Sequence, residues 1–132
     1  MWTYFWIAVG GALGTVARFW FSGVIARHIG ETFPWGTLFV NVSGSLVIGF
    51  FATYFGPESR FLAPPVVRQF VMIGILGGYT TFSSFSLQTL NLARDGNWLA
   101  AGGNALASFV FCMLAVWLGH VAALGATSLK GH

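Results

Sequence analysis

Two apolar segments carry neutral hydrogen-bonding side chains at the spacing of successive helical turns. Residues four apart share one face of a helix, and a buried amide in lipid must find partners. Each stripe therefore either joins helices through hydrogen bonds or offers N–H and O–H donors to a permeating anion. The stripes are Thr37, Asn41 and Ser45 in one segment and Asn104, Ser108 and Cys112 in the other.

A third segment, of about residues 66–92, contains a glycine pair followed by two threonines, Gly77-Gly78-Tyr79-Thr80-Thr81. Paired glycines weaken a helix. In lipid, non-helical backbone persists only where protein or a water-filled cavity satisfies its polar groups. The segment predicts a helix broken at membrane depth, which is how many transporters build ion sites. The alternative is a small-residue face for helix packing.

Phe82 and Phe85 follow the predicted break and share one helix face, because they are three residues apart. An aromatic ring is negative on its face and positive at its edge. Two ring edges aimed at a pore would stabilise a small anion without a formal charge. The alternative is ordinary packing in the core.

Gly10, Gly14 and Arg18 recur on one face of the first apolar segment. The glycines form a small-xxx-small pattern that lets helices approach closely. Arg18 is costly in the bilayer unless it faces a cavity or reaches the interface. It either forms an electropositive vestibule that concentrates anions or extends to the lipid headgroups.

The acidic residues Glu31, Glu58 and Asp95 all fall in or beside predicted loops. A proton-coupled exporter of small cations needs an acid within the membrane, so this class is disfavoured. No nucleophile–base pair is evident, and a metal site needs clustered ligands. The sequence therefore predicts neither an enzyme nor a histidine metal centre. The histidines are scattered at His28, His120 and His132.

Composition assigns the chain to the membrane. Its 132 residues are 56% hydrophobic and 7% charged, whereas soluble domains carry about 25% charged residues. Apolar segments cover about residues 4–25, 35–55, 66–92 and 98–126, and each reaches the roughly 20 residues that span hydrocarbon. We predict one all-α transmembrane domain over residues 1–132, with four helices and the third broken.

Positive charge is balanced between the two predicted faces of the membrane. The positive-inside rule needs an excess on one face, and here the excess is close to nil. The sequence therefore predicts insertion in both orientations and association of opposite copies about a two-fold axis. The alternative is a weak bias toward one orientation. One face holds Arg60, Arg68 and Lys130, and the other holds Arg27, Arg94 and nearby Arg18.

Three motifs in this order resemble the Fluc (CrcB) fluoride channels over almost the whole chain. They are Gly10-Gly11-Ala12-Leu13-Gly14 with Arg18, Gly36-Thr37-Leu38 with Val40-Asn41, and Gly77-Gly78-Tyr79-Thr80-Thr81-Phe82-Ser83-Ser84-Phe85-Ser86. The resemblance implies an antiparallel, dual-topology homodimer with two pores in the bacterial inner membrane. Such a channel exports toxic fluoride passively and selects strongly against chloride.

The resemblance also implies roles for individual residues. The pore residues would be Asn41, Phe82, Phe85, Thr37, Ser108 and Cys112. The backbone carbonyls of Gly77 and Thr80 would hold a structural sodium ion at the dimer centre. Two positions depart from the family pattern, since Cys112 stands where members often have serine and Gln88 where they often have glutamate. The rival functions are a packing subunit of a larger membrane complex and a small dual-topology exporter.

Overall fold

The computed structural model describes residues 2–130, with side chains up to residue 128, and the regular elements within that range are all helices. Four helical spans are long and apolar enough to cross a membrane, as the sequence predicts. The elements are α1 (Trp2–Ile29), α2 (Trp35–Tyr54), α3 (Pro65–Arg68), a π-helical segment (Gln69–Ile75), α4 (Leu76–Tyr79), α5 (Phe82–Arg94) and α6 (Trp98–Lys130).

The third span, Pro65–Arg94, is broken at Thr80 and Thr81. Thr80 has φ −86° and ψ 155°, and Thr81 has φ −149° and ψ 117°, so both are extended. Thr81 caps α5, because its Oγ1 accepts a hydrogen bond from the Ser84 N–H at 3.1 Å. The predicted break is therefore confirmed. The π-helical segment before it was not predicted.

Glycines bring α1 into backbone contact with the first half of the third span. A Cβ added at Gly10 would lie 2.6 Å from the carbonyl oxygen of Phe70. A Cβ added at Gly78 would lie 2.6 Å from the carbonyl oxygen of Gly11. Real Cβ atoms do not approach so closely, so these positions require glycine. Close helix packing and the helix break, which were alternative interpretations of the sequence, thus occur together.

Helices α2 and α6 form the most extensive helix pair. Gly49 packs on the backbone of Val116, and Gly119 packs on the backbone of Leu46. Thr53 Oγ1 and His120 Nδ1 share a hydrogen bond of 2.7 Å between the two helices. This pairing fixes the faces that α2 and α6 present to the broken span.

Candidate functional site

A cavity of about 560 Å³ lies beside the helix break, between α2, the broken span and α6. It brings together five of the six side chains that the sequence assigned to a pore. They are Asn41, Phe82, Phe85, Ser108 and Cys112. Gly77 and Thr80, the assigned cation ligands, line the same cavity. Much of the remaining wall is apolar, including Ile48, Met72 and Phe109.

Thr37, the sixth assigned pore residue, lies outside this cavity. It is buried, with 7% of its surface exposed, and lines a second cavity of about 670 Å³ together with Gln88. Thr37 is one helical turn from Asn41, or about 6 Å along α2. The polar stripe of α2 therefore runs from the second cavity to the first. Buried Gln88 Oε1 has no hydrogen-bond partner among the described residues.

The side-chain amide of Asn41 is hydrogen-bonded to the backbone of Thr81 at the break. Asn41 Nδ2 donates to the Thr81 carbonyl at 3.0 Å, and Asn41 Oδ1 accepts from the Thr81 N–H at 2.7 Å. These partners fix the orientation of the amide, because a backbone N–H only donates and a carbonyl only accepts. One of the two Asn41 N–H groups is thus used, and the other is left for the cavity.

The break removes the helical donors of the four carbonyls from Gly77 to Thr80. In a continuous helix, the Thr81 N–H would bond to the Gly77 carbonyl, but it bonds to Asn41 instead. Likewise the Ser84 N–H would bond to the Thr80 carbonyl, but it bonds to Thr81 Oγ1. Gly77 and Thr80, two of these four carbonyls, are those that the sequence resemblance assigned to sodium.

A third carbonyl at the break is satisfied by an arginine. Arg18 Nε donates to the Gly78 oxygen at 3.1 Å, across 60 residues of sequence. The side chain is half-buried, and its remaining guanidinium N–H groups keep their donor capacity. The sequence predicts a vestibule or a headgroup position for Arg18 but not this contact, because the contact depends on how α1 packs against α4.

Phe82 and Phe85 are neighbours on α5, as their spacing predicts. Their ring centroids are 5.4 Å apart with 58° between the ring planes. Phe82 is 79% exposed within this chain, and Phe85 is half-buried. The pair thus presents two differently oriented rings to the same cavity.

The polar stripe of α6 serves both packing and the cavity. Asn104 is 1% exposed, and its Nδ2 donates to Thr89 Oγ1 at 2.9 Å. Thr89 Oγ1 in turn donates to the Phe85 carbonyl at 2.8 Å, while Ser108 Oγ donates to Asn104 Oδ1 at 3.4 Å. Asn104 therefore joins α6 to α5 through Thr89, which is one helical turn from Phe85. The role of Thr89 was not predicted from the sequence.

Clustered metal ligands are lacking in the part of the chain that the structure describes: no group of three or more His, Cys, Asp or Glu side chains could hold a metal ion there. His132 lies outside the described residues. The wall of the first cavity contains no acidic residue. The site therefore offers amide, hydroxyl and thiol groups, aromatic rings and backbone carbonyls.

Comparison with known proteins gives a consistent result. A family model described as CrcB-like protein, Camphor Resistance (CrcB), matches residues 5–120. A relative from Opitutus terrae is 66% identical over 128 residues, covering 97% of this chain and 97% of the relative. A relative from Methylocella silvestris is 58% identical over 128 residues, covering 97% and 98%. A third, from Rhodospirillum rubrum, is 59% identical over 122 residues, covering 92% and 95%. All three relatives bear the name fluoride-specific ion channel FluC.

Proposed function

The chain belongs to the CrcB family of membrane proteins, and we propose that it is a fluoride-specific channel through which fluoride leaves the cell passively. It is a multi-pass integral membrane protein and not an enzyme. The observation that carries the proposal is the cavity beside the break, where Asn41, Phe82, Phe85 and Ser108 meet without an acidic residue. We assign the channel to the bacterial inner membrane.

The lining suits a small anion that accepts hydrogen bonds strongly. Asn41 has one N–H left after bonding to Thr81, and this group would donate to fluoride. Phe82 and Phe85 would offer the positive edges of their rings. Chloride is larger, so a narrow path of this kind would admit it poorly and would not replace its hydration shell.

Two polar side chains of α6 reach the cavity, and they differ in strength. Ser108 is an O–H donor that also bonds to Asn104, so fluoride would compete with an internal acceptor. Cys112 offers an S–H group, which is a weaker donor. Cys112 therefore contributes less to anion binding than a serine would at that position.

Positive charge favours entry of anions. The chain has a formal net charge of +3, and half-buried Arg18 places a guanidinium near the break. The second cavity is lined by Thr37 and Gln88 but also by the acidic Glu31 and Asp95. The positive potential would therefore come from Arg18 at the break and not from this cavity. A vestibule of positive potential raises the local concentration of anions.

The channel would be an antiparallel, dual-topology homodimer. Balanced Lys and Arg residues support insertion in both orientations. The exposure of Phe82, at 79%, supports assembly, because a pore-lining ring needs an opposing wall. A second, inverted copy would close each cavity and give two pores.

A sodium ion at the dimer centre would complete the structure. The Gly77 and Thr80 carbonyls lose their helical donors at the break, and two copies would supply four such oxygens. Oxygen ligands suit a hard cation, and the described residues place no acidic side chain in this cavity. Bound sodium would join the subunits and add a fixed positive charge between the pores.

The test of the function is fluoride efflux from liposomes that contain this protein alone. A packing subunit of a larger complex would give no efflux without its partners. A small dual-topology exporter would instead move an organic cation when a proton gradient is applied. Fluoride efflux without any gradient of protons supports the channel and contradicts both rivals.

A further inference from the structure

We propose that Asn41 is a positioning residue that links the anion path to the cation site, because its amide selects the extended conformation of Thr81. The cation side of this link rests on the proposed function. The contact itself does not, because it is a feature of the folded chain. Asn41 would thus have a second role besides the hydrogen bond to fluoride that the proposed function gives it.

The Asn41 amide bonds to Thr81 in the way that a neighbouring strand bonds to one residue of an antiparallel sheet. An extended residue points its N–H and its C=O to the same side, as in the hydrogen-bonded pairs of an antiparallel sheet. Thr81 is extended, with φ −149° and ψ 117°, and both groups meet the same amide, at 2.7 Å and 3.0 Å. In a helix, the N–H and C=O of one residue point in opposite directions along the axis. One amide therefore binds both groups of Thr81 only when Thr81 is not helical.

This selection has a consequence four residues earlier in the chain. When Thr81 is helical, its N–H satisfies the Gly77 carbonyl. When Asn41 holds Thr81 extended, that carbonyl is free to bind a cation. Asn41 and the cation thus favour the same state of the third span. Two ligands of one state are coupled, and the coupling acts equally in both directions.

The same contact also orients the pore donor. Because Nδ2 and Oδ1 are both bonded to Thr81, the amide cannot rotate without losing two hydrogen bonds. Its second N–H therefore keeps a fixed direction in the cavity. A change at the cation site would reach the anion path through this one side chain.

Hydrogen exchange of the Thr81 N–H tests the contact directly in the full-length protein. In the wild type, we expect slow exchange, although the residue is outside a helix. Asn41→Leu removes the acceptor and should speed this exchange at least ten-fold. Asn41→Asp keeps the acceptor for the N–H but loses the donor to the Thr81 carbonyl, so its exchange should lie between those of the wild type and Asn41→Leu. Equal exchange in the wild type and Asn41→Leu would overturn the proposal.

The matched control is Asn91→Leu, the same change at an exposed position of α5, which should leave Thr81 exchange unchanged. If Asn41→Leu does not accumulate, Asn41→Ser gives the same comparison, because its hydroxyl is too short to reach Thr81. Faster Thr81 exchange in Asn91→Leu as well would show a general loosening of the span and contradict the specific role of Asn41.

Sodium dependence tests the link to the cation site. We expect the wild type to have a higher melting temperature in sodium than in a bulky organic cation, and Asn41→Leu to lose at least half of that difference. Phe82→Ile should keep the full difference while its fluoride flux falls. A full sodium effect in Asn41→Leu would overturn the link. Absence of fluoride flux in the wild type would contradict the proposed function. The Thr81 exchange rates would still show whether Asn41 holds Thr81 in its extended conformation.

Discussion

Arg18 on α1 donates its Nε–H to the carbonyl oxygen of Gly78 at 3.1 Å, 60 residues further along the chain. Gly78 lies in the last turn of α4, where the break would otherwise leave this oxygen without its helical donor. Hydrogen bonds that involve a charged group contribute about 1.5–3 kcal/mol. The first span thus stabilises the end of the broken helix through a charged group.

Replacement of Arg18 by lysine should not be conservative. Lysine keeps the charge but has no planar Nε–H group and a different reach. We expect Arg18→Lys to lower the melting temperature in detergent and to reduce fluoride flux several-fold. The matched control is Arg27→Lys near the end of α1, which should behave as the wild type. Equal stability and flux in Arg18→Lys would mean that the charge alone matters.

Gly14 should not tolerate even one methyl group. A Cβ at this position would overlap the carbonyl oxygen of Ile75, whereas a Cβ at Gly23 on the same helix would meet no atom within 4 Å. Overpacking costs about 1–3 kcal/mol, so Gly14→Ala should lower the melting temperature clearly. Gly23→Ala should be neutral or slightly stabilising, since alanine favours helix. Comparable effects of the two substitutions would contradict the described packing of α1 on the third span.

The aromatic rings of Phe82 and Phe85 should support fluoride flux through their positive edges and not only through their size. Phe82→Ile and Phe85→Ile keep an apolar side chain but remove the positive ring edge. We expect each to lower fluoride flux about ten-fold, which corresponds to ~1.4 kcal/mol in the barrier. Dimers should persist in size-exclusion chromatography. Phe111→Ile, at an exposed position of α6, is the control, and wild-type flux in both test variants would refute the aromatic role.

Both orientations should occur in one membrane. Reporter fusions at the C-terminus should give signal on both sides, because Lys and Arg are balanced. Several added lysines on one face should bias insertion and lower activity, and co-expression of an oppositely biased copy should restore it. A single orientation of the unmodified protein would contradict dual topology.

The sequence predicts local features of this protein better than distant contacts. The four spans follow from apolar length. A break was predicted at Gly77-Gly78 and Thr80-Thr81, but the glycines remain helical in α4 and only the two threonines are extended. The hydrogen bonds of Asn41 to Thr81, across 40 residues, and of Arg18 to Gly78, across 60 residues, were not predicted. They depend on the rotation and depth of packed helices, which periodicity does not define. The four-residue spacing grouped Thr37 with Asn41 on one helix face, but it did not show that the two residues line different cavities.

Anion efflux from liposomes that contain only this protein distinguishes a fluoride-specific channel from a non-selective pore and from a protein that does not conduct. Vesicles loaded with equal potassium fluoride and potassium chloride would be diluted into impermeant anion, and valinomycin would then allow potassium to follow. Ion-selective electrodes would record both anions. A fluoride-specific channel should give rapid fluoride efflux and chloride efflux close to that of protein-free vesicles. Fluoride retention, or chloride efflux as fast as that of fluoride, would contradict this function.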